Sequence, residues 1–227
     1  MKVCVALDLP SREENLALLK QIKDADVWIK VGFRSYIRDG KDFLTQIKAV
    51  NPKFKIFLDL KLYDIPNTMA DAAEEIAMLG VDMFNVHASA GKAAMKEVMD
   101  RLSKLPSRPL VLAVTALTSF DDAGFEAVYS KPIEQKAAEF ARDAYEAGLD
   151  GVVCSAHESP LVKETTSAEF LTLCPGIRDV SDDVGDQKRV VDVVGAKNLL
   201  VDFAVIGRPI YKSHTPKDTL QNILKRI

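Results

Sequence analysis

A chain of 227 residues with 48% hydrophobic and 28% charged side chains has enough apolar surface for a full core and fits one large domain, less comfortably two small ones. The 30 Lys and Arg residues against 33 Asp and Glu leave a formal charge of -3, and the basic residues are scattered rather than striped, so nucleic acid is not an expected partner. No apolar run nears the roughly 18 residues that span a bilayer, and Met1 and Lys2 lead straight into VCVALD without a signal-peptide layout, so no membrane partner is expected and the expected location is cytoplasmic.

The first strand-like run, VCVALD (3–8), ends on Asp8. SREENLALLKQIKDA follows with apolar residues at helical spacing, and then VWIKVG (27–32), which carries Lys30 late in an otherwise apolar stretch. KIFLDLKL (55–62) holds Asp59 and Lys61, and Asp64 and Thr68 come just beyond it. TMADAAEEIAMLG closes on Gly80 in the C-cap role, and VD leads into the fourth run, MFNVHA (83–88). The fifth, LVLAVTAL (110–117), is followed by EQKAAEFARDAYEAG, which closes on Gly148 before LD and the sixth run, GVVCSA (151–156). FLTLCPG (170–176) and FAVIGRP (203–209) complete the series, with the irregular CPGIRDVSDDVGDQK between them.

Strand runs that are apolar on both faces and alternate with helices imply a parallel sheet covered by helices. Eight repeats in 227 residues is about 28 per unit, near the small end for a single (β/α)8 barrel, with a doubly wound open sheet as the structural alternative. No linker or low-complexity segment divides the chain, so residues 1–227 are read as one (β/α)8 TIM-barrel catalytic domain. The irregular piece after the seventh run falls where a barrel places a functional loop.

Cys4, Cys154 and Cys174 lack CxxC spacing and lie in apolar runs, which favours buried free thiols over disulfides or metal ligands. His87, His157 and His214 form no metal-binding pattern.

The charges at the strand ends demand an account, because desolvating them is costly unless they pair. Side chains alternate along a strand, so Phe57, Asp59 and Lys61 share one face and Ile56, Leu58 and Leu60 the other. In a barrel the aliphatic face meets the helices, which turns Asp59 and Lys61 inward at the C-terminal rim. An Asp-Lys pair two apart is also compatible with a plain interior salt bridge. Asp8 and Lys30 on neighbouring strands argue for a constellation instead. Flanking carboxylates favour the ammonium form of Lys61, which suits a proton donor to a carbanion better than a Schiff-base nucleophile.

At the other end of the series, Gly207 and Arg208 at the tip of the eighth run suit a phosphate site, the alternative being a surface arginine after a turn glycine. The seventh loop adds Arg178, Gln187, Lys188 and Arg189.

DLKLYDIPNT resembles the DxKxxDIPNT signature of the orotidine 5′-phosphate decarboxylase family, and VALD, WIKVG, AVTALTS, PGIR, GDQKR and IGRP follow in that family's order. The resemblance implies a (β/α)8-barrel homodimer with shared active sites that decarboxylates orotidine 5′-phosphate to UMP and CO2 in de novo pyrimidine synthesis, with no cofactor and no metal. It makes Lys61 the proton donor to C6 and sets Asp59 against the substrate carboxylate. Lys30 and Asp64 complete the charge network, with Asp64 reaching in from the partner subunit. Asp8 and Lys30 resemble ribose contacts, Thr68 a cross-subunit contact and Thr118 a pyrimidine contact. Arg178, Gln187, Gly207 and Arg208 resemble substrate and phosphate contacts, while Thr115 is structural. Tyr63 departs from the His that many relatives carry.

The alternative is a Mg2+-dependent sugar-phosphate decarboxylase or synthase that shares the DxKxxD motif. Those enzymes resemble this chain but place an acidic residue late in the second strand, where Lys30 stands here. A catalytically dead barrel serving as a binding scaffold is a third reading, and the complete charge set weighs against it.

Overall fold

In the computed structural model, which describes residues 1–178 and 189–227, eight parallel strands close into a barrel in chain order. They are β1 (Lys2–Ala6), β2 (Trp28–Gly32), β3 (Lys55–Leu62), β4 (Met83–His87), β5 (Leu110–Val114), β6 (Gly151–Val153), β7 (Leu171–Cys174) and β8 (Phe203–Ile206). β8 pairs with both β7 and β1, which closes the ring and excludes the open-sheet alternative.

Helices α1 (Arg12–Gln21), α2 (Phe33–Val50), α3 (Pro66–Met78), α4 (Lys92–Leu102), α5 (Asp122–Tyr129) and α6 (Ile133–Glu146) occupy the connections of the first six strands. α7 (Ser159–Thr165), α8 (Val193–Asn198), α9 (Arg208–Tyr211) and α10 (Pro216–Leu224) complete the set. The helix-stop signals are local: Gly80 and Gly148 have φ of 70° and 85°, a conformation that costs other residues a Cβ clash. α1 starts on a capping box, in which Ser11 and Glu14 satisfy each other's backbone N–H.

Two apolar layers follow from the strand alternation. Ile56 and Leu58 pack outward with the helices in the large cluster that also holds Leu19, Phe43, Phe84 and Val98. Phe57 points inward and joins Cys4, Ala6, Met83, Leu112, Val114, Val153, Leu173, Phe203 and Val205 in a plug that fills the barrel. Burying a phenylalanine such as Phe57 is worth roughly 2–3 kcal/mol.

At the N-terminal rim one device recurs on alternate strands. Asp82, just before β4, donates its N–H to Ile56 O and accepts the Ile56 N–H on its carboxylate at 2.9 Å. Asp150 before β6 does the same with Val111, and Asp202 before β8 with Thr172, both at 2.8 Å. Each aspartate carbonyl then accepts from the first residue of the next strand pair, Leu110, Leu171 and Lys2 respectively. One residue type thus ties three strands at each of three places.

Several apolar runs overshoot their strands. β5 stops at Val114, not residue 117, and Ala116 owes its apolar character to packing under Phe125 and Ile133. Asp8 lies two residues beyond β1 rather than ending it.

Candidate active site

A cavity of about 520 Å3 opens at the C-terminal ends of the strands. Its floor is the upper part of the interior plug, Ala6, Phe57, Val114, Val153, Leu173 and Val205. Asp8, Lys30, Asp59, Lys61, Thr118, Arg178, Gly207 and Arg208 stand around it, so eight of the predicted site residues share one cavity. Ser119 and Tyr211 also line it.

Asp59 is the centre of the charge cluster. Lys61 Nζ lies 2.6 Å from its Oδ1 and Lys30 Nζ 3.5 Å from its Oδ2, while Lys30 also reaches Asp8 Oδ1 at 3.3 Å. Asn85 Nδ2 donates to Asp59 Oδ1 at 2.8 Å. Burial pushes the Asp59 carboxyl up, but Lys30 and Lys61 with the hydrogen bonds from Lys61 and Asn85 outweigh it and hold the group below its ordinary value. Burial likewise pulls the Lys30 ammonium down, and Asp59 and Asp8 more than restore it, so its value is raised. The Phe33 ring lies 5.5 Å from Lys61 Nζ, within cation-π range.

The anion end is built differently from the sequence expectation. Arg178 is 7% exposed, and its N–H donates to Val191 O at 3.0 Å while Val191 N–H donates to Gly176 O at 3.2 Å. Arg189 is not among the residues that line the cavity. It pairs with the buried Glu158 and donates to Leu117 O at 3.4 Å, because a carboxylate 5% exposed needs a cation nearby. Burial raises the Glu158 carboxyl, and Arg189 opposes that only in part. At Gly207 a Cβ would come within 3.2 Å of the Tyr211 ring and 3.3 Å of Ala6 Cβ, so the glycine leaves room between them. Gln187 and Lys188 lie outside the described residues.

Asp64 and Thr68 are not brought to this cavity by the chain's own fold. Both are exposed, and Asp64 lies with Tyr63, Ile65 and Pro66 in a separate shallow depression beside Ser89 and Ala90. Thr115 is buried and its hydroxyl donates to Val153 O, which agrees with a structural role. His87 stacks on Tyr63 at 5.7 Å, and burial and Lys61 lower its pKa. The three cysteines are free and buried, though Cys154, just past the end of β6, and Cys174, at the end of the neighbouring β7, bring their sulfurs to 3.9 Å, a proximity that spacing did not show. Asn85 is the main residue missed from sequence, and alternation held a signal for it: it shares the inward face of β4 with Met83.

A closed parallel barrel with alternating ammonium and carboxylate groups at its C-terminal rim, over an apolar floor, defines a (β/α)8-barrel enzyme for a small anionic substrate. The sequence profile of the orotidine 5′-phosphate decarboxylase / HUMPS family matches residues 1–223, and the chain belongs to that family. It is 65% identical to the orotidine 5′-phosphate decarboxylase of Sulfurimonas denitrificans and 63% identical to that of a Nitratiruptor species, each over 100% of both chains. The crystal structure of orotidine 5′-phosphate decarboxylase from Lactobacillus acidophilus superimposes with a TM-score of 0.84 at 33% identity, covering 99% of this chain and 98% of that one.

Proposed function

We propose that this protein decarboxylates orotidine 5′-phosphate to UMP and CO2, the closing step of pyrimidine nucleotide synthesis, with Lys61 as the proton donor. The observation that carries the reading is the Lys61–Asp59–Lys30 chain that lines the cavity above its apolar floor, with contacts of 2.6 and 3.5 Å, in a member of this family. The bond from C6 to the carboxylate carbon breaks, its electron pair stays on C6 and CO2 leaves. The Lys61 ammonium then gives a proton to C6, and the neutral amine takes another from solvent. No carbonyl adjoins C6 to spread the charge, so a fixed ammonium must stabilise it. Asp59 beside the leaving carboxylate is relieved of like-charge repulsion as CO2 departs, a secondary contribution.

In this reading Arg208 and Gly207 hold the phosphate with Arg178 and Gln187, Thr118 meets the pyrimidine, and Asp8 and Lys30 meet the ribose. Phosphate binding remote from C6 draws the site closed and strengthens the charges inside. Asp64 and Thr68 enter from a second copy of the chain, which their exposure away from the cavity supports, so the working form is a homodimer. Among the described residues no helix is long and apolar enough to cross a membrane. The reading has residues 1–227 as one catalytic domain in the cytoplasm, without a nucleic-acid or membrane partner.

The orotidine 5′-phosphate decarboxylase / HUMPS family also takes in relatives that act on sugar phosphates. Lys30 argues against a metal-dependent reaction here, since its ammonium lies between Asp8 and Asp59, where it repels a divalent cation. Ultraviolet absorbance separates the readings. Wild-type protein depletes orotidine 5′-phosphate in the presence of EDTA, and Lys61→Ala still binds UMP but loses about a thousandfold or more in kcat. Near-normal turnover by Lys61→Ala removes its role, and strict dependence on added Mg2+ favours the sugar-phosphate relatives.

A further inference from the structure

β3 and β4 fall out of step next to the reacting lysine. Leu58 pairs with Phe84 and Leu62 with Val86, so the three residues Asp59, Leu60 and Lys61 stand opposite Asn85 alone. A bulge of this kind redirects side chains and leaves backbone groups without ladder partners. Lys61 pays for the mismatch with φ of 48°, a left-handed conformation costly for a residue with a Cβ. Its stranded N–H donates to Asn85 Oδ1 at 2.7 Å, and Asn85 Nδ2 donates to Asp59 Oδ1 at 2.8 Å. The amide orientation is fixed by this pairing, because an N–H needs the oxygen and a carboxylate needs the NH2. Asn85 is 1% exposed, so water does not replace either bond readily.

We propose that Asn85 is a positioning residue for decarboxylation: one buried amide clamps the strained Lys61 backbone and the Asp59 carboxylate together, so that the ammonium is aimed before substrate arrives. The proposal rests on the decarboxylase reading and deepens it. Asn85 touches no reacting atom and acts through Lys61 and Asp59. Nothing else in the bulge supplies both a donor and an acceptor at these two points.

Asn85→Ala and Asn85→Asp test it. In Asn85→Ala, kcat falls about a hundredfold while KM for orotidine 5′-phosphate and the affinity for UMP stay within about threefold, because geometry at the lysine is lost and phosphate binding is not. Asn85→Asp keeps the shape and the acceptor but sets a second carboxyl against Asp59. Its activity is low at about pH 8 and rises relative to wild type as the pH falls towards about 5.5, where the introduced carboxyl gains a proton and donates as the amide did. A purely structural asparagine gives no such inverted profile. Amide hydrogen exchange at Lys61, which needs no turnover, quickens at least about tenfold in Asn85→Ala. A kcat for Asn85→Ala within about threefold of wild type, or an Asn85→Asp profile parallel to wild type, overturns the proposal. Should Asn85→Ala fail to fold, the isosteric Asn85→Asp decides alone. Wild-type protein that leaves orotidine 5′-phosphate intact overturns the decarboxylase reading instead, and the exchange experiment still judges the clamp.

Discussion

Asp59 carries two tasks that pull in opposite directions. It sits between two ammonium groups and accepts an amide hydrogen bond, which keeps it ionised in a largely buried place. In the proposed reaction that same charge faces the substrate carboxylate, where it is unfavourable, so on that reading the residue stabilises the free protein and burdens the bound one. The stability side is measurable. Because its folded pKa is depressed, Asp59 contributes stability that is complete above the unfolded value of about 3.9 and is lost as the pH falls through the folded value. Asp59→Asn therefore lowers stability by about 3 kcal/mol near neutral pH, leaving Asp8 as the ion-pair partner of Lys30 among the described residues, and the gap from wild type narrows in acid. Urea midpoints of both proteins across the acid range check this. A gap that stays constant down to about pH 3 assigns the depressed carboxyl elsewhere.

At the level of elements, the aspartates before β4, β6 and β8 deserve separation from those at the other rim. Asp82, Asp150 and Asp202 each complete the hydrogen bonding of the strand before, and each carries cations: Lys48 and Lys55, Arg108, and Lys163. They lie at the end of the barrel opposite the cavity, so they serve the fold alone. Asp150→Ala strands the Val111 N–H, leaves the Arg108 guanidinium without its carboxylate and costs about 1–3 kcal/mol in urea unfolding, with kcat unchanged. Loss of activity in the folded variant contradicts that division. The two rims also show what was legible beforehand. Strand count, order and the inward turn of Asp59 and Lys61 were readable, since alternation and helix stops are local properties. The VD and LD pairs after Gly80 and Gly148 were visible too, but their partners, Ile56 and Val111, lie some way back along the chain. Asn85 was obscured for the same reason: its meaning depends on a bulge in β3 that only the pairing with β4 defines. Arg189 misled because a cation in a loop reads as a ligand contact until Glu158 is found beneath it.

The molecule as a whole leaves large apolar groups in water near the site. Tyr63 and Ile65 are each 66% exposed and flank Asp64, and Phe33 at 49% lies over Lys61. Solvated aromatic and aliphatic side chains around Asp64 suit a surface that a second copy covers. If each site takes Lys61 from one subunit and Asp64 from the other, Lys61→Ala and Asp64→Ala homodimers are both inactive. In a hybrid dimer the two lesions fall together in one site, and the other site keeps its native Lys61 and Asp64. Equal amounts of the two variants, allowed to exchange subunits, form hybrids in about half of the dimers, each with one of its two sites intact, so activity returns to about a quarter of wild type. Dilution below the dimer dissociation constant abolishes it again, because each lone subunit lacks one of the two groups. Mixtures that exchange subunits, followed by mass spectrometry of differently tagged chains, yet stay inactive place Asp64 outside the neighbouring site. Activity that survives dilution to monomers has the same consequence, since a complete site then resides in one chain.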